Sequence, residues 1–556
     1  MNRLTTGDYV VFICYFIIVA GYGLWVYFRK KTAEVSTTEY FLAEGKLTWW
    51  AIGASLIASN ISAEQFIGMS GSGFQMGLAI ASYEWMSALT LIVVAVFFIP
   101  VYLKNKIFTM PQFLSQRYND TVGLIMAVFW LLLYVVVNLT SILFLGALAI
   151  NSISGLDLTT CMYFLAVFAI VITLGGMKVI GYTDVIQVGI LVLGGLATTY
   201  LALDLVANHF GSSGVLQGFK LMTEHADSHF EMILHRDNPH YFDLPGLSVI
   251  LGGLWIANLN YWGCNQYITQ RALGADLKTA RRGILFAAFL KLLMPLIVVL
   301  PGIAAYVLYQ QGNFQQEMLA DGSLNPDRAY PVLLNLLPPG LKGLSFAALT
   351  AAVVASLAGK ANSIATIFTL DIYKRLSGRQ VSERKMVHVG KWTVVVSMLV
   401  AVVIAPFLGI DKKGGFQYIQ EYTGFVSPGI FAMFILGFFW KGTTSNAALF
   451  ATIGGFALSV WLKFSPNWVS WSFLEPIGFA KLNASGQFEI PFLDRMSIVF
   501  VLCVIGMWGI SLWDRHRGIQ AKGLEVDRRM FGVDRGFAAG ALLVCGILVA
   551  LYMMFW

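Results

Sequence analysis

Long apolar runs, separated by short charged loops, fill the whole chain. About fourteen of them reach the ~20 residues that a helix needs to cross a bilayer core. The pattern predicts spans over 9–28, 47–74, 78–103, 121–152, 158–176, 182–207, 246–270, 284–309, 341–371, 387–409, 416–440, 444–464, 491–513 and 536–556. The second span departs from this pattern. Its stretch Ala58–Gly73, ASNISAEQFIGMSGSG, carries Ser59, Asn60, Ser62, Glu64 and Gln65, then Gly68, Gly71 and Gly73. So many polar groups are too costly to expose to lipid, so they must face protein, water or a ligand. A membrane helix interrupted at mid-depth by small and polar residues points to a transporter binding site. The seventh span is interrupted in the same way: LGGLWIANLNYWGCNQYITQR (251–271) holds Asn258, Asn260, Asn265 and Gln266 around Gly263. The two lie five spans apart and so cross in opposite directions, which is the pattern of an inverted repeat of spans two to six against seven to eleven. Polar residues also serve as glue between packed helices, but matching clusters in corresponding helices make that the weaker reading.

Composition agrees with a polytopic membrane protein. The chain has 556 residues, 57% hydrophobic and 12% charged, against about 25% charged in soluble domains. Its net charge of +7 follows loop topology and gives no nucleic-acid surface. Basic residues cluster in alternate loops: Arg29, Lys30 and Lys31; Lys104, Lys106 and Arg117; Arg271, Lys278, Arg281 and Arg282; Lys374, Arg375, Arg379, Arg384 and Lys385; Arg515, Arg517, Lys522, Arg528 and Arg529. The positive-inside rule makes these loops cytoplasmic and places both termini on the outer face of a plasma (inner) membrane. Lys412 and Lys413 are exceptions. The expected organisation is a peripheral helix over 1–31, repeats over 47–207 and 246–441, and peripheral helices over 442–556. Residues 9–28 read as a retained helix, since no basic n-region or small-residue cleavage site precedes or follows them. The five cysteines lie in apolar runs and imply no disulfide framework. The outer loop 208–245 holds five of the seven histidines, with His225 and His229 at i, i+4. That spacing could hold a metal, but no HExxH or Cys pattern accompanies it, and a solvated loop is the better reading.

Two charges sit deep in predicted spans, Glu84 in ASYEWMSA and Lys291 in FLKLLMP, and such charges are functional by default. With Gln65, Ser87, Asn258 and Gln420 they combine a carboxylate, an ammonium, a hydroxyl and two-way amides. A polyol needs that mixture, because each hydroxyl both donates and accepts. Tyr83 and Tyr261 add flat faces suited to a pyranose. An amino acid could also use Glu84 and Lys291, so this chemistry alone does not decide between them. An enzyme is least favoured, since no second carboxylate, metal motif or phosphate loop accompanies the pair. A sugar sensor would need a signalling domain that the chain lacks. No cofactor is implied.

The segments SNISAEQFIGMSGSG (59–73), ASYEWMSA (81–88), YTDVIQV (182–188), GGLWIANLNYWGCNQYITQR (252–271), FAAFLKL (286–292), NSIATIFTLDIYK (362–374) and FQYIQEYTGFVSPG (416–429) resemble bacterial sodium/sugar symporters of the sodium:solute symporter family, and the likeness covers nearly the whole chain. It implies an all-α membrane protein of about fourteen helices with a five-plus-five inverted-repeat, leucine-transporter-like core. The implied function is import of a glucose- or galactose-class hexose by alternating access, coupled to sodium. By resemblance, Gln65, Glu84, Ser87, Asn258, Lys291 and Gln420 hold sugar hydroxyls. Tyr261 stacks under the ring as an inner gate steadied by Asn60, and Met69, Tyr83 and Phe416 cap it from outside. Sodium is expected at Ala58, Ile61 and Ala352 carbonyls and a hydroxyl at Ser356.

The resemblance fails at one place. Where the family has adjacent serines, this chain has Ala355-Ser356, and Lys360 stands at a position that is apolar in relatives. Ala352, Ser356 and Lys360 share a helix face. Lys360 is about 16 Å of helix short of Asp371, too far to reach the interface easily. Asp184, which resemblance places beside a sodium exit route, is the expected partner of Lys360. Either Lys360 is a paired structural charge and sodium still binds, or its ammonium replaces sodium and transport is sodium-independent or proton-coupled.

Overall fold

The computed structural model describes residues 4–28, 41, 47–320, 322–377, 381–407, 415–483 and 485–556. The basic residues Arg29, Lys30, Lys31, Arg379, Lys412 and Lys413 lie outside them. Among the described residues, each predicted apolar run is occupied by helix. Ten described stretches are long and apolar enough to cross a membrane, and a pair bent by 77° at Gly252, Pro239–Leu251 with Gly253–Cys264, would make an eleventh. One of the ten, Glu64–Lys104, is 41 residues long, about 60 Å if straight and twice the thickness of a hydrocarbon core.

It is not straight. The eighth span, Leu277–Gln310, is a single helix that both halves follow in opposite directions. Gly53 packs on the carbonyl of Gly283 and Ser70 on Gly302, so residues 49–76 rise along the eighth span. Trp85 donates to the carbonyl of Leu292 and Arg281 to that of Ala95, so residues 82–104 descend along it. The reversal is at Gly77, at φ +70°, where a Cβ would also lie 2.2 Å from the carbonyl oxygen of His229. Backbone conformation and close approach both demand glycine there.

Three of the bases used to orient the chain prove to be buried. Arg117 donates to the carbonyls of Gly437, Trp440 and Thr443 at 2.7, 2.8 and 3.0 Å, at the end of the helix Ser427–Phe439. Arg281 donates to the carbonyls of Ala95 and Met530, both at 3.0 Å. Arg117 satisfies carbonyls that a helix terminus leaves unpaired, where the dipole favours positive charge, whereas Ala95 lies in a π turn, Val94–Phe98, within a continuous helical run. Arg271 turns into the core instead, as described below.

The histidines of the 208–245 connection go to separate partners. His229 is buried, 3.1 Å from the carbonyl of Phe74 and stacked on Tyr306, while His225 stacks on Phe210. Among the described residues no group of three or more metal-ligating side chains is placed to hold an ion.

Candidate functional site

Both polar spans break where the sequence predicts. Trp49–Asn60 ends at Ile61, which is extended at φ −80°, ψ 116°, and a π-helical turn, Glu64–Met69, follows. Gly253–Cys264 ends at Asn265, extended at φ −96°, ψ 129°, before Gln266–Leu273. At the first break, the N–H of Ser62 donates to Gln65 Oε1 (3.0 Å) and the N–H of Gln65 to the Ser62 carbonyl (3.2 Å). An unbroken helix would have aimed those donors at the carbonyls of Ala58 and Ile61, which are therefore released from the ladder. At the second break Tyr134 fills the gap: its hydroxyl donates to Asn265 Oδ1 (3.0 Å) and accepts from the Gln266 N–H (3.1 Å).

A cavity lies between the two breaks. Asn60, Gln65, Tyr83, Glu84, Ser87, Asn258, Tyr261, Phe416 and Gln420 all line it. The geometry joins most of the residues expected to face a sugar. Lys291 Nζ is 2.5 Å from Glu84 Oε2 and also donates to Asn60 Oδ1, so it stands just behind the wall and holds two wall residues. Ser87 Oγ donates to Asn258 Oδ1 at 2.6 Å. Both lone pairs of Gln65 Oε1 go to Ser62, which leaves Nε2 as its group for a ligand. Asn60 Nδ2 donates to the Tyr261 hydroxyl at 2.9 Å, the steadying contact expected of an inner gate. Tyr83 and Phe416 meet edge to face, with centroids 5.0 Å apart. Phe416 can approach because Gly68 lacks a side chain: a Cβ there would sit 2.7 Å from the Phe416 nitrogen. Met69 is fully buried and does not reach the described cavity wall.

On the other side of the first break, Ser356 Oγ donates to the Ser59 carbonyl at 3.1 Å. This brings span nine against the end of the helix Trp49–Asn60 at the first break. Ala352 is one turn earlier on the same face, within continuous α-helix. Oxygens are the ligands a small hard cation takes, but of those expected here a side chain supplies only one, because Ala355 has none.

The expected pairing of Lys360 with Asp184 does not occur. Asp184 Oδ2 accepts from Ser55 Oγ at 2.5 Å and lies 3.9 Å from Arg271 Nη2. Arg271 also donates to Ser55 Oγ (2.8 Å) and to the carbonyl of Tyr267. Gly359 admits it: a Cβ there would be 2.4 Å from Arg271 Nη2. Lys360 pairs instead with Glu64, its Nζ 3.8 Å from Oε1 and 5.1 Å from the centroid of the Tyr267 ring. Both residues of the pair line the cavity, as do Asn138, Asn260, Asn265 and Tyr267; of these six the sequence singles out only Lys360 for the site, as a coupling residue. Glu64 had a visible signal, since it is the one carboxylate in the polar stretch of the second span. Tyr267 had none, because its neighbours depend on how the second break is bent.

A many-span helical bundle with two interrupted helices around a buried polar cavity defines the chain as a membrane transporter rather than an enzyme. It belongs to the sodium:solute symporter family, whose model matches residues 40–455. It is 47% identical to a sodium/glucose cotransporter of Vibrio parahaemolyticus over 565 aligned positions, covering 100% of this chain and 99% of that one. It is 33% identical to sodium/myo-inositol cotransporter 2 of Homo sapiens, over 82% of this chain and 70% of that protein. The structure of a Na+-coupled sialic acid symporter in a substrate-bound outward-open state superposes with a TM-score of 0.76 at 22% identity, over 94% of this chain and all of that one. Apart from two short hairpins, Leu319–Ala320 with Ser323–Leu324 and Lys481–Leu482 with Phe488–Glu489, the fold is therefore the helical, leucine-transporter-like bundle expected.

Proposed function

We propose that the protein imports a hexose or a closely related polyol together with sodium, by alternating access. The observation that carries this reading is the buried Glu84–Lys291–Asn60 cluster beside the cavity. It offers an acceptor, a cationic donor and an amide at one place, as ring hydroxyls require. The likeness to cotransporters of glucose and myo-inositol supports the same ligand class. The sugar would be held by Gln65, Glu84, Ser87, Asn258, Lys291 and Gln420. Tyr261 would stand beneath it, and Tyr83 and Phe416 above. Sodium would sit at the released carbonyls of Ala58 and Ile61 with Ala352 and Ser356. The alternation would pivot on the two breaks, with fourteen spans, repeats over 47–207 and 246–441, and both termini on the outer face of the plasma membrane.

The test is uptake of labelled D-glucose and D-galactose into proteoliposomes. An inward sodium gradient is expected to concentrate one of them above equilibrium. Accumulation that follows a pH gradient and ignores sodium would overturn the reading.

A further inference from the structure

The Lys360–Glu64 pair joins particular elements. Glu64 opens the π turn just beyond the first break, and Lys360 lies one helical turn past Ser356 on span nine. These are the two elements whose oxygens would surround a cation. Both side chains are buried, Lys360 at 3% exposure, and Asp184 is already taken by Arg271 and Ser55. At 3.8 Å the pair has the separation of an ion pair without a short hydrogen bond, and buried pairs of modest geometry add little stability. Its effect therefore lies in what it holds together. It is also continuous with the gate. The face of Tyr267 receives the ammonium, and its ring meets Tyr261 edge-on at 5.6 Å, with Tyr261 bonded to Asn60.

We propose that Lys360 and Glu64 form an ionic strap that holds the first broken helix against span nine without a bound cation, leaving sugar binding only weakly dependent on sodium. The inference rests on the sugar-importer reading. A cation can raise sugar affinity only by favouring an arrangement that is not already favoured. A strap that pre-assembles the cation's two walls removes part of that difference. Sodium then still moves with the sugar, but the free energy linking the two binding events shrinks.

Two readouts test this on the purified full-length protein. The first is the affinity for D-galactose and D-glucose in sodium chloride and in choline chloride. The wild type is expected to differ between the two salts by less than about 3-fold, while Lys360→Met loses about 10-fold in choline and recovers in sodium. A wild type that binds sugar at least about 10-fold more tightly in sodium overturns the strap, as does a Lys360→Met protein whose ratio between salts is unchanged. Glu64→Gln, nearly isosteric, serves where Lys360→Met does not survive solubilisation. The second readout needs no sugar. Sodium is expected to raise the melting temperature of Lys360→Met or Glu64→Gln more than that of the wild type, and an equal rise overturns the strap. Failure of an intact protein to bind either sugar in both salts counts against the importer reading, while the thermal readout still decides the strap.

Discussion

Two buried Lys–Glu pairs connect the helices around this cavity, and they differ in kind. Lys291 is held by Glu84 at 2.5 Å and has a second acceptor in Asn60. Lys360 stands 3.8 Å from Glu64 and is otherwise met by the face of an aromatic ring. The first pair is a hydrogen-bonded cluster in which Lys291, behind the cavity wall, fixes the wall residues Glu84 and Asn60. The second is a looser electrostatic contact between two helices beside the proposed cation position. Equal charge and equal burial do not make equal roles, since hydrogen-bond geometry separates a group that recognises a ligand from one that holds helices together.

Removing one side of the tight pair should have the largest effect. Lys291→Met leaves Glu84 buried and unpaired, which costs about 3–5 kcal/mol of stability. It also frees Glu84 and Asn60, the wall residues that Lys291 holds in place, so titration calorimetry in sodium should show affinity reduced about 100-fold or more. Lys360→Met measured in sodium should lose far less. If both variants lose affinity equally in sodium, the second pair contacts sugar and the contrast collapses.

The tight pair was largely legible in the sequence and the loose one was not. Glu84 and Lys291 sit deep in apolar runs, where any charge stands out, and both lie in segments that resemble the family. The breaks were legible too, because clustered Asn, Gln and Gly interrupt a helix wherever it lies. Lys360 was conspicuous in the same way, yet its partner was misassigned to Asp184. The reason is Arg271. Counted along the chain it belongs to a basic loop, and only the bend at Asn265 together with the missing side chain of Gly359 carries it inward to Asp184. Likewise, Arg117 and Arg281 follow the positive-inside pattern while being buried against backbone carbonyls. Periodicity fixes where a charge enters a span, but which carboxylate it reaches depends on bends and close approaches that no local pattern encodes.

A double-mutant cycle would sharpen the contrast. With thermal stability as the readout, the coupling between Glu84→Gln and Lys291→Met should approach about 3 kcal/mol, whereas that between Glu64→Gln and Lys360→Met should stay near 1 kcal/mol or below. Coupling energies of similar size would mean that the 3.8 Å pair is as well formed as the other.

Gly359→Ala probes the boundary between the Lys360 pair and its neighbour. The new methyl group would fall 2.4 Å from Arg271 Nη2, and the guanidinium, bonded to Ser55 and Tyr267, has little room to move. A destabilisation of about 1–3 kcal/mol is expected from this overpacking, read as a lower melting temperature. An alanine that stabilises the helix, as it does at an open position, would show that Arg271 does not pass this way, and would return Asp184 to Lys360.

The smallest effect is expected at Tyr267, and it bears on what cushions the looser pair. Its ring lies under Lys360 and meets Tyr134 and Tyr261 edge-on. Tyr267→Phe keeps the face and should leave the thermal stability of the Lys360 pair within about 0.5 kcal/mol of wild type, whereas Tyr267→Leu removes a cation–π contact of about 0.5–2 kcal/mol. Lys291 tests specificity, since it faces a different ring, Trp262, at 5.3 Å. The loss on Tyr267→Leu should therefore vanish in a Lys360→Met background and persist in a Lys291→Met background. Persistence in both would mean that the ring acts by packing alone, leaving Glu64 as the group that keeps the Lys360 ammonium in the core.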